Sequence, residues 1–212
     1  MAITIVSTHL DDAVFSCWTI IDGEGDVEVV TVFTAGPADR RIVPWDADTG
    51  VDSATRMVQR AAENDAALAL AGRRATNLGF LENMYDDGSI DLAVLGDHLA
   101  QAELVYIPAG VGIEHVNPEH CVARDACLSI RPDARLYADN PYCHFRPDIE
   151  LPAGIGVGLT RTVVPLTSEQ RSRKAEALRC YAGELAKLEE LYGPCTDPDR
   201  LQYEVFWAPV SV

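Results

Sequence analysis

The chain lacks long apolar runs, paired cysteines and an excess of positive charge, and each lack argues against a class of function. No apolar stretch in its 212 residues approaches the roughly 20 needed to cross a bilayer. Lys and Arg number 17 against 33 Asp and Glu, for a net charge of −16. An acidic surface argues against nucleic acid or an anionic membrane as partner, since both need basic patches. The six cysteines, Cys17, Cys121, Cys127, Cys143, Cys180 and Cys195, are scattered and form no CxxC pair. They read as reduced, small hydrophobic residues, not as a disulfide framework. The N-terminus enters a strand pattern directly, without the basic segment and apolar core of a signal peptide, so the default expectation is a cytoplasmic location. The first strand–helix turn has no GxGxxG, which argues against a dinucleotide site there.

What is present is a 48% hydrophobic chain whose length suits one domain over residues 1–212. Strand patterns fall at 3–7, 27–33, 77–81, 104–107, 135–138, 156–164 and 202–208. Between them, helices are expected over 13–21, 53–71, 89–102 with a serine cap, 118–130, and one long helix over 167–191. Thr167 and Gln170 have the spacing of a capping box. This alternation predicts an α/β fold of Rossmann-like type, with a mostly parallel sheet and helices on both faces. The segment 34–52 is a long Pro- and Asp-rich loop, of the kind that usually serves function or is disordered.

The first strand ends in Thr8-His9-Leu10-Asp11-Asp12. Ligands of open α/β sheets bind at the carboxyl ends of strands. A His and an Asp three apart on a turn, His9 and Asp12, make an ordinary metal-ligand pair, leaving Asp11 off the metal as a candidate general base. Alternatively, Asp11 and Asp12 cap the helix that follows. A second cluster follows the strand at 104–107, where Glu114, His115, Glu119 and His120 fall on the same rim as His9. That loop is the natural source of a third ligand. His98 lies within an amphipathic helix and reads as a surface or structural residue.

The run Ser7-Thr8-His9-Leu10-Asp11-Asp12-Ala13-Val14-Phe15-Ser16-Cys17 resembles the (A/S)PHxDD signature of the PIG-L/LmbE-like zinc-dependent de-N-acetylases, nearest the branch reading SPHLDDAVLSC. Further blocks follow in that family's order. Arg60-Ala61-Ala62-Glu63-Asn64 resembles its RxAED helix, and Leu78-Gly79-Phe80-Leu81-Glu82 its LGFxD segment. Residues 112–125 resemble GxGxHxDHxxxRDA, Leu136-Tyr137-Ala138-Asp139-Asn140-Pro141-Tyr142 resembles YYEDxPY, and residues 174–181 resemble KxxALxxY. Glu204 falls at a late ExF.

The resemblance implies an LmbE-like fold and removal of an acetyl or short acyl group from an amino sugar or related small metabolite. It implies a metal held by His9, Asp12 and His120, with Asp11 as base. Zinc is expected, and the same ligand set accepts iron(II). Three departures stand out. Thr8 replaces a proline, Asn117 occupies the position of the acid histidine, and Gly183-Glu184 replaces Ser-Gln. The acid is then His115 by a two-residue insertion, or His144, or no residue at all. Candidate substrate contacts are Arg56 with its neighbour Arg60, Glu82, Trp45 stacking on a flat ligand or pinning the loop, and Tyr142 facing an oxyanion or a structural partner. The expected partner is a small-molecule substrate, and a homo-oligomer is compatible with the sequence. Two other readings remain: a tailoring enzyme of natural-product biosynthesis cutting another bond, and a non-catalytic binding protein on the same fold.

Overall fold

A computed structural model describes residues 1–112, 117–152, 154–156 and 158–209. Seven strands form one sheet: β1 (Ala2–Ser7), β2 (Asp26–Ala35), β3 (Ala75–Leu81), β4 (Leu104–Pro108), β5 (Arg135–Tyr137), β6 (Leu159–Pro165) and β7 (Tyr203–Pro209). Their order is β3-β2-β1-β4-β5-β7-β6. The first five run parallel, and β7 pairs antiparallel with both β5 and β6. The chain builds outward from β1 in one direction, then returns to place β4 on its other side. The gap beyond the carboxyl ends of β1 and β4 is therefore the topological switch point, where open α/β sheets bind ligands.

The period of two in each strand sends alternate side chains to opposite faces. Ile5 joins a core with Phe15, Trp18, Leu68 and Leu178, beneath α1 (Asp12–Ser16), α2 (Trp18–Ile21), α3 (Ser53–Ala69) and α6 (Ser168–Leu178). Val6 joins the opposite core with Leu95, Leu99 and Cys127 of α4 (Leu92–Leu99) and α5 (Glu119–Ile130). The expected α/β architecture, a mostly parallel sheet covered on both faces, is the observed one.

Three helix expectations are corrected. The helix over 13–21 is broken at Cys17 into α1 and α2. Glu204 of β7 enters this break and accepts hydrogen bonds from the amides of Trp18 at 2.7 Å and Thr19 at 2.9 Å, satisfying donors that a helix start leaves open. Lys174 pairs with the same carboxylate at 2.6 Å, and both side chains are fully buried. In α4 the cap is Asp91, not Ser89, accepting from the amides of Ala93 and Val94. The helix over 167–191 is two helices, α6 and α7 (Ala182–Tyr192), although the Thr167–Gln170 capping box is present. The chain tightens at Cys180 and Tyr181, whose amides reach back only three residues. The buried Tyr181 hydroxyl is anchored on Asn64 Oδ1 at 2.8 Å. That break redirects α7 across the switch point. The loop over 34–52 contains one 3-10 turn, Pro44–Asp46.

Candidate active site

The turn after β1 is held by the Ser7 hydroxyl, which donates to the His9 carbonyl at 2.6 Å and accepts from the Ala13 amide at 3.0 Å. Ser7 thus does part of the capping work considered for the aspartates. Asp11 sits at the N-cap of α1 but its side chain makes no capping hydrogen bond. The Asp12 carboxylate turns back and accepts from the His9 amide at 2.7 Å. Thr8 continues the sheet through its carbonyl, which accepts from the Phe33 amide at 3.0 Å.

These constraints bring His9, Asp12 and His120 together, all buried. His9 Nδ1 lies 3.3 Å, and His120 Nε2 3.5 Å, from the same Asp12 oxygen, Oδ2. The two rings present opposite nitrogens, and each has its own carboxylate behind it. His120 Nδ1 is 2.8 Å from Asp139 Oδ1, and the other Asp139 oxygen accepts from the Val111 amide at 3.1 Å. His9 Nε2 is 3.4 Å from Glu119 Oε2, while Glu119 Oε1 accepts from the Asn83 amide. With Nδ1 facing Asp139, His120 turns Nε2 into the cluster, and that buried atom has no hydrogen-bond partner among the described residues.

The donor set fits a cation. Two imidazole nitrogens and a carboxylate suit zinc or iron(II). Six buried carboxylates, those of Asp11, Asp12, Glu82, Glu119, Asp139 and Glu184, face two buried arginines, Arg56 and Arg60. The local charge responds to this imbalance. Burial opposes a charged His9, yet Asp12, Glu119 and Glu82 outweigh it and raise its pKa well above the ordinary value. Burial raises the Asp12 pKa, but His120 and His9 overcome it and hold the carboxyl down at about 2. Burial and the neighbouring Asp12 charge push Asp11 up to about 7.

A ligating histidine held by an outer carboxylate loses roughly 10–100-fold in metal affinity when that carboxylate is altered. Asp139→Asn should lower zinc affinity by about that factor, measured by competition with a chromophoric chelator. Unchanged affinity would mean that Asp139 does not orient His120.

Above the cluster opens a cleft of about 740 Å³ including its mouth. His9, Asp11 and Glu119 line its floor, beside Arg60, Glu82 and Tyr142. Arg60 is fixed by Glu82 at 3.2 Å and Glu184 at 3.8 Å. Burial keeps the Tyr142 phenol protonated, hence a hydrogen-bond donor. Trp45 reaches the cleft from the loop and is also pinned, its Nε1 donating to Glu184 Oε2 at 2.6 Å.

Two expected substrate contacts are not brought to the cleft. Arg56 is held by Glu63 at 3.1 Å and Glu184 at 3.0 Å, so its guanidinium braces α7 against α3. Gly183 makes room for it, since a methyl group there would collide with that guanidinium. His144 is exposed, with a φ of 53°, and lines a separate depression beside Arg200. His115 lies outside the described residues. Asn117, at the position where the resemblance implies an acid histidine, lines the cleft, and its Oδ1 has no hydrogen-bond partner among the described residues.

Sequence reasoning named Arg60 as a substrate contact and placed Glu119 on the rim, but it did not foresee that Glu119 and Asp139 back the two histidines or that Glu184 pairs with both arginines. Asp139 carried a readable signal, because it lies two residues past β5 and shares the rim with His9 and His120. Glu184 carried none beyond being a charged residue on a helix, since its role depends on where α7 turns.

No family model matches the chain, and no curated protein matches it. Solved structures do. The A40926 pseudoaglycone deacetylase Dbv21 is 26% identical, covers 98% of this chain and 96% of its own, and superposes with a TM-score of 0.74. An N,N'-diacetylchitobiose deacetylase from Pyrococcus horikoshii is 13% identical over 92% of this chain and 75% of its own, with a TM-score of 0.66. The 4-carboxy-2-hydroxymuconate hydratase GalB of Pseudomonas putida is 17% identical over 100% and 97%, with a TM-score of 0.63. The chain therefore has the LmbE-like fold of these deacetylases, a fold that a hydratase shares.

Proposed function

We propose that the protein is a metal-dependent amidohydrolase of the PIG-L/LmbE-like kind, removing an acetyl or other short acyl group from the amine of an amino sugar or a related small metabolite. The observation that carries this reading is the convergence of His9 Nδ1 and His120 Nε2 on one Asp12 oxygen, with Asp11 beside them on the cleft floor. The deacetylases among the similar structures support it.

His9, Asp12 and His120 would hold zinc or iron(II), which supplies Lewis acidity toward water and toward a carbonyl oxygen. The protein's own groups do the rest. Asp11 accepts a proton from the attacking water as the water oxygen bonds to the amide carbon. Tyr142, a neutral donor in the cleft, offers a hydrogen bond to the oxygen that gains charge. The C–N bond then breaks, and the nitrogen takes up a proton to leave as the amine, with the acyl group released as a carboxylate. Arg60 holds Glu82 and faces the substrate's polar groups.

A second reading, a tailoring enzyme acting on a different bond, is favoured by Asn117. Among the described residues, His9 is the one imidazole lining the cleft, and GalB joins different chemistry to the same fold. Metal analysis of protein purified without added metal, beside amine release from N-acetyl amino sugars, tests both readings. About one metal per chain with amine release is expected. Metal without release from any acylated amine would favour the second reading, and no metal uptake even from excess zinc would reject both.

A further inference from the structure

We infer that the cleft floor carries a second cation seat, formed by His9 Nε2, Glu82 and Glu119, through which a divalent metal is loaded onto the buried His9–Asp12–His120 cluster. This rests on the metal-binding part of the proposed function and not on amide hydrolysis.

Two sets of three donors share His9. In one its partners are Asp12 and His120, in the other Glu82 and Glu119, and within each set the donor atoms lie within 4.8 Å of one another. The imidazole stands between the sets. Nδ1 is 3.3 Å from Asp12, and on the opposite side Nε2 is 3.4 Å from Glu119. Nε2 is buried and has no hydrogen-bond partner among the described residues. Zinc bonds of roughly 2.0–2.1 Å at a tetrahedral angle hold two donor atoms about 3.4 Å apart. The His9–Glu119 gap has that span, as do the 3.3 and 3.5 Å gaps of the inner set. Both outer carboxylates are fixed in place. Glu82 pairs with Arg60 at 3.2 Å, and Glu119 Oε1 accepts from the Asn83 amide, which leaves Oε2 toward His9. Acidic residues alone would not mark a cation seat; the orphaned imidazole nitrogen aimed at them does.

The two seats differ in access and in chemistry. His9, Glu82 and Glu119 line the cleft, whereas Asp12 and His120 are not among the described residues that do, and His120 is fully buried. A cation from solvent therefore meets the outer seat first. Asp11, Glu82, Glu119 and Glu184 face the cleft against one arginine, Arg60, among the described lining residues, and that field draws cations in. The outer seat offers one nitrogen and two carboxylates, the inner seat two nitrogens and one carboxylate. Zinc and iron(II) favour the nitrogen-rich set, so transfer inward is downhill. A neutral imidazole has one ring lone pair and serves one seat at a time. On transfer from Nε2 to Nδ1, the Nδ1 proton leaves to water and Nε2 takes one up, so the proton count is unchanged. The Nε2–H then faces Glu119, which turns from ligand into the carboxylate behind His9.

Uptake of cobalt(II) by metal-free protein, followed by stopped-flow visible absorption, tests the seat. In the unaltered protein the uptake rate should level off as cobalt is raised, because transfer inward follows a filled outer seat. Glu82→Gln should slow uptake and release alike by at least about tenfold, while the equilibrium affinity stays within about threefold. Glu184→Gln removes a charge from the same cleft without touching the seat, and should change uptake by less than about threefold. His120→Asn breaks the inner seat and keeps the outer one. It should bind cobalt weakly, lose it on dialysis, and bind at least about tenfold more weakly still when combined with Glu82→Gln. A rate that rises linearly to millimolar cobalt, or a Glu82→Gln protein that loses affinity with its uptake rate unchanged, would overturn the loading seat and leave the buried cluster standing. No cobalt bound by the unaltered protein would reject the seat and the metal reading together. The expected uptake pattern without amine release from any acylated amine would keep the seat and turn against the amidohydrolase reading.

Discussion

His120→Ala should lose metal and turnover together. The substitution removes one of three donors that converge within a buried cluster and leaves the Asp139 carboxylate without its imidazole. Altering an outer partner costs roughly 10–100-fold in affinity, and removing a ligand outright should cost more than that. The variant should therefore retain no metal through dialysis and show no amine release above background. The buried Asp139 charge left behind also destabilises the fold. His120→Asn provides the control, because its amide can still donate to Asp139 while replacing the imidazole nitrogen with a poor ligand. Elemental analysis of both variants decides the matter. One zinc per folded chain in either would remove His120 from the ligand set.

Asp11→Asn should show the opposite pattern, with metal kept and chemistry lost. Asp11 is not part of the His9–Asp12–His120 cluster, although it lines the floor directly above it. The amide has nearly the same shape and cannot accept a proton from water. Loss of a positioned general base typically costs about 10²–10⁴-fold, and kcat should fall by that amount. The informative comparison is kcat against metal content in the same preparation. A kcat within a few-fold of the unaltered enzyme at full metal loading would exclude Asp11 as the base.

Much of this architecture was legible in the chain. The β-branched runs marked the strands because buried parallel strands need apolar side chains on both faces. The position of His9, Asp11 and Asp12 at the end of the first strand marked the rim. His120 required one further step, the expectation that the strand at 104–107 ends on that rim. The hidden parts depend on long-range geometry. The break after Leu178 carries only a weak local signal, the poor helix formers Cys180, Tyr181 and Gly183, and the buried Tyr181–Asn64 bond fixes the turn. Arg56 and Arg60 look equivalent on α3, one turn apart. Only the direction of α7 decides that Arg60 faces the cleft while Arg56 is consumed by Glu63 and Glu184. His144 was a reasonable candidate by its place after β5; its ring packs edge-on against Tyr192 of the cleft wall but lines a separate depression.

The Glu204 carboxylate that enters the break between α1 and α2 also sets an order of events during synthesis. It lies 185 residues beyond Thr19. At roughly 5–20 residues per second, a ribosome takes on the order of ten seconds or more to deliver it after the amides it satisfies. Throughout that interval Trp18 and the turn bearing His9, Asp11 and Asp12 lack their final support, and β1 has yet to meet β4 for nearly half of it. A nascent chain thus exposes apolar surface early, and the turn after β1 gains its last support late. The first third of the protein is the stretch left longest without its final contacts.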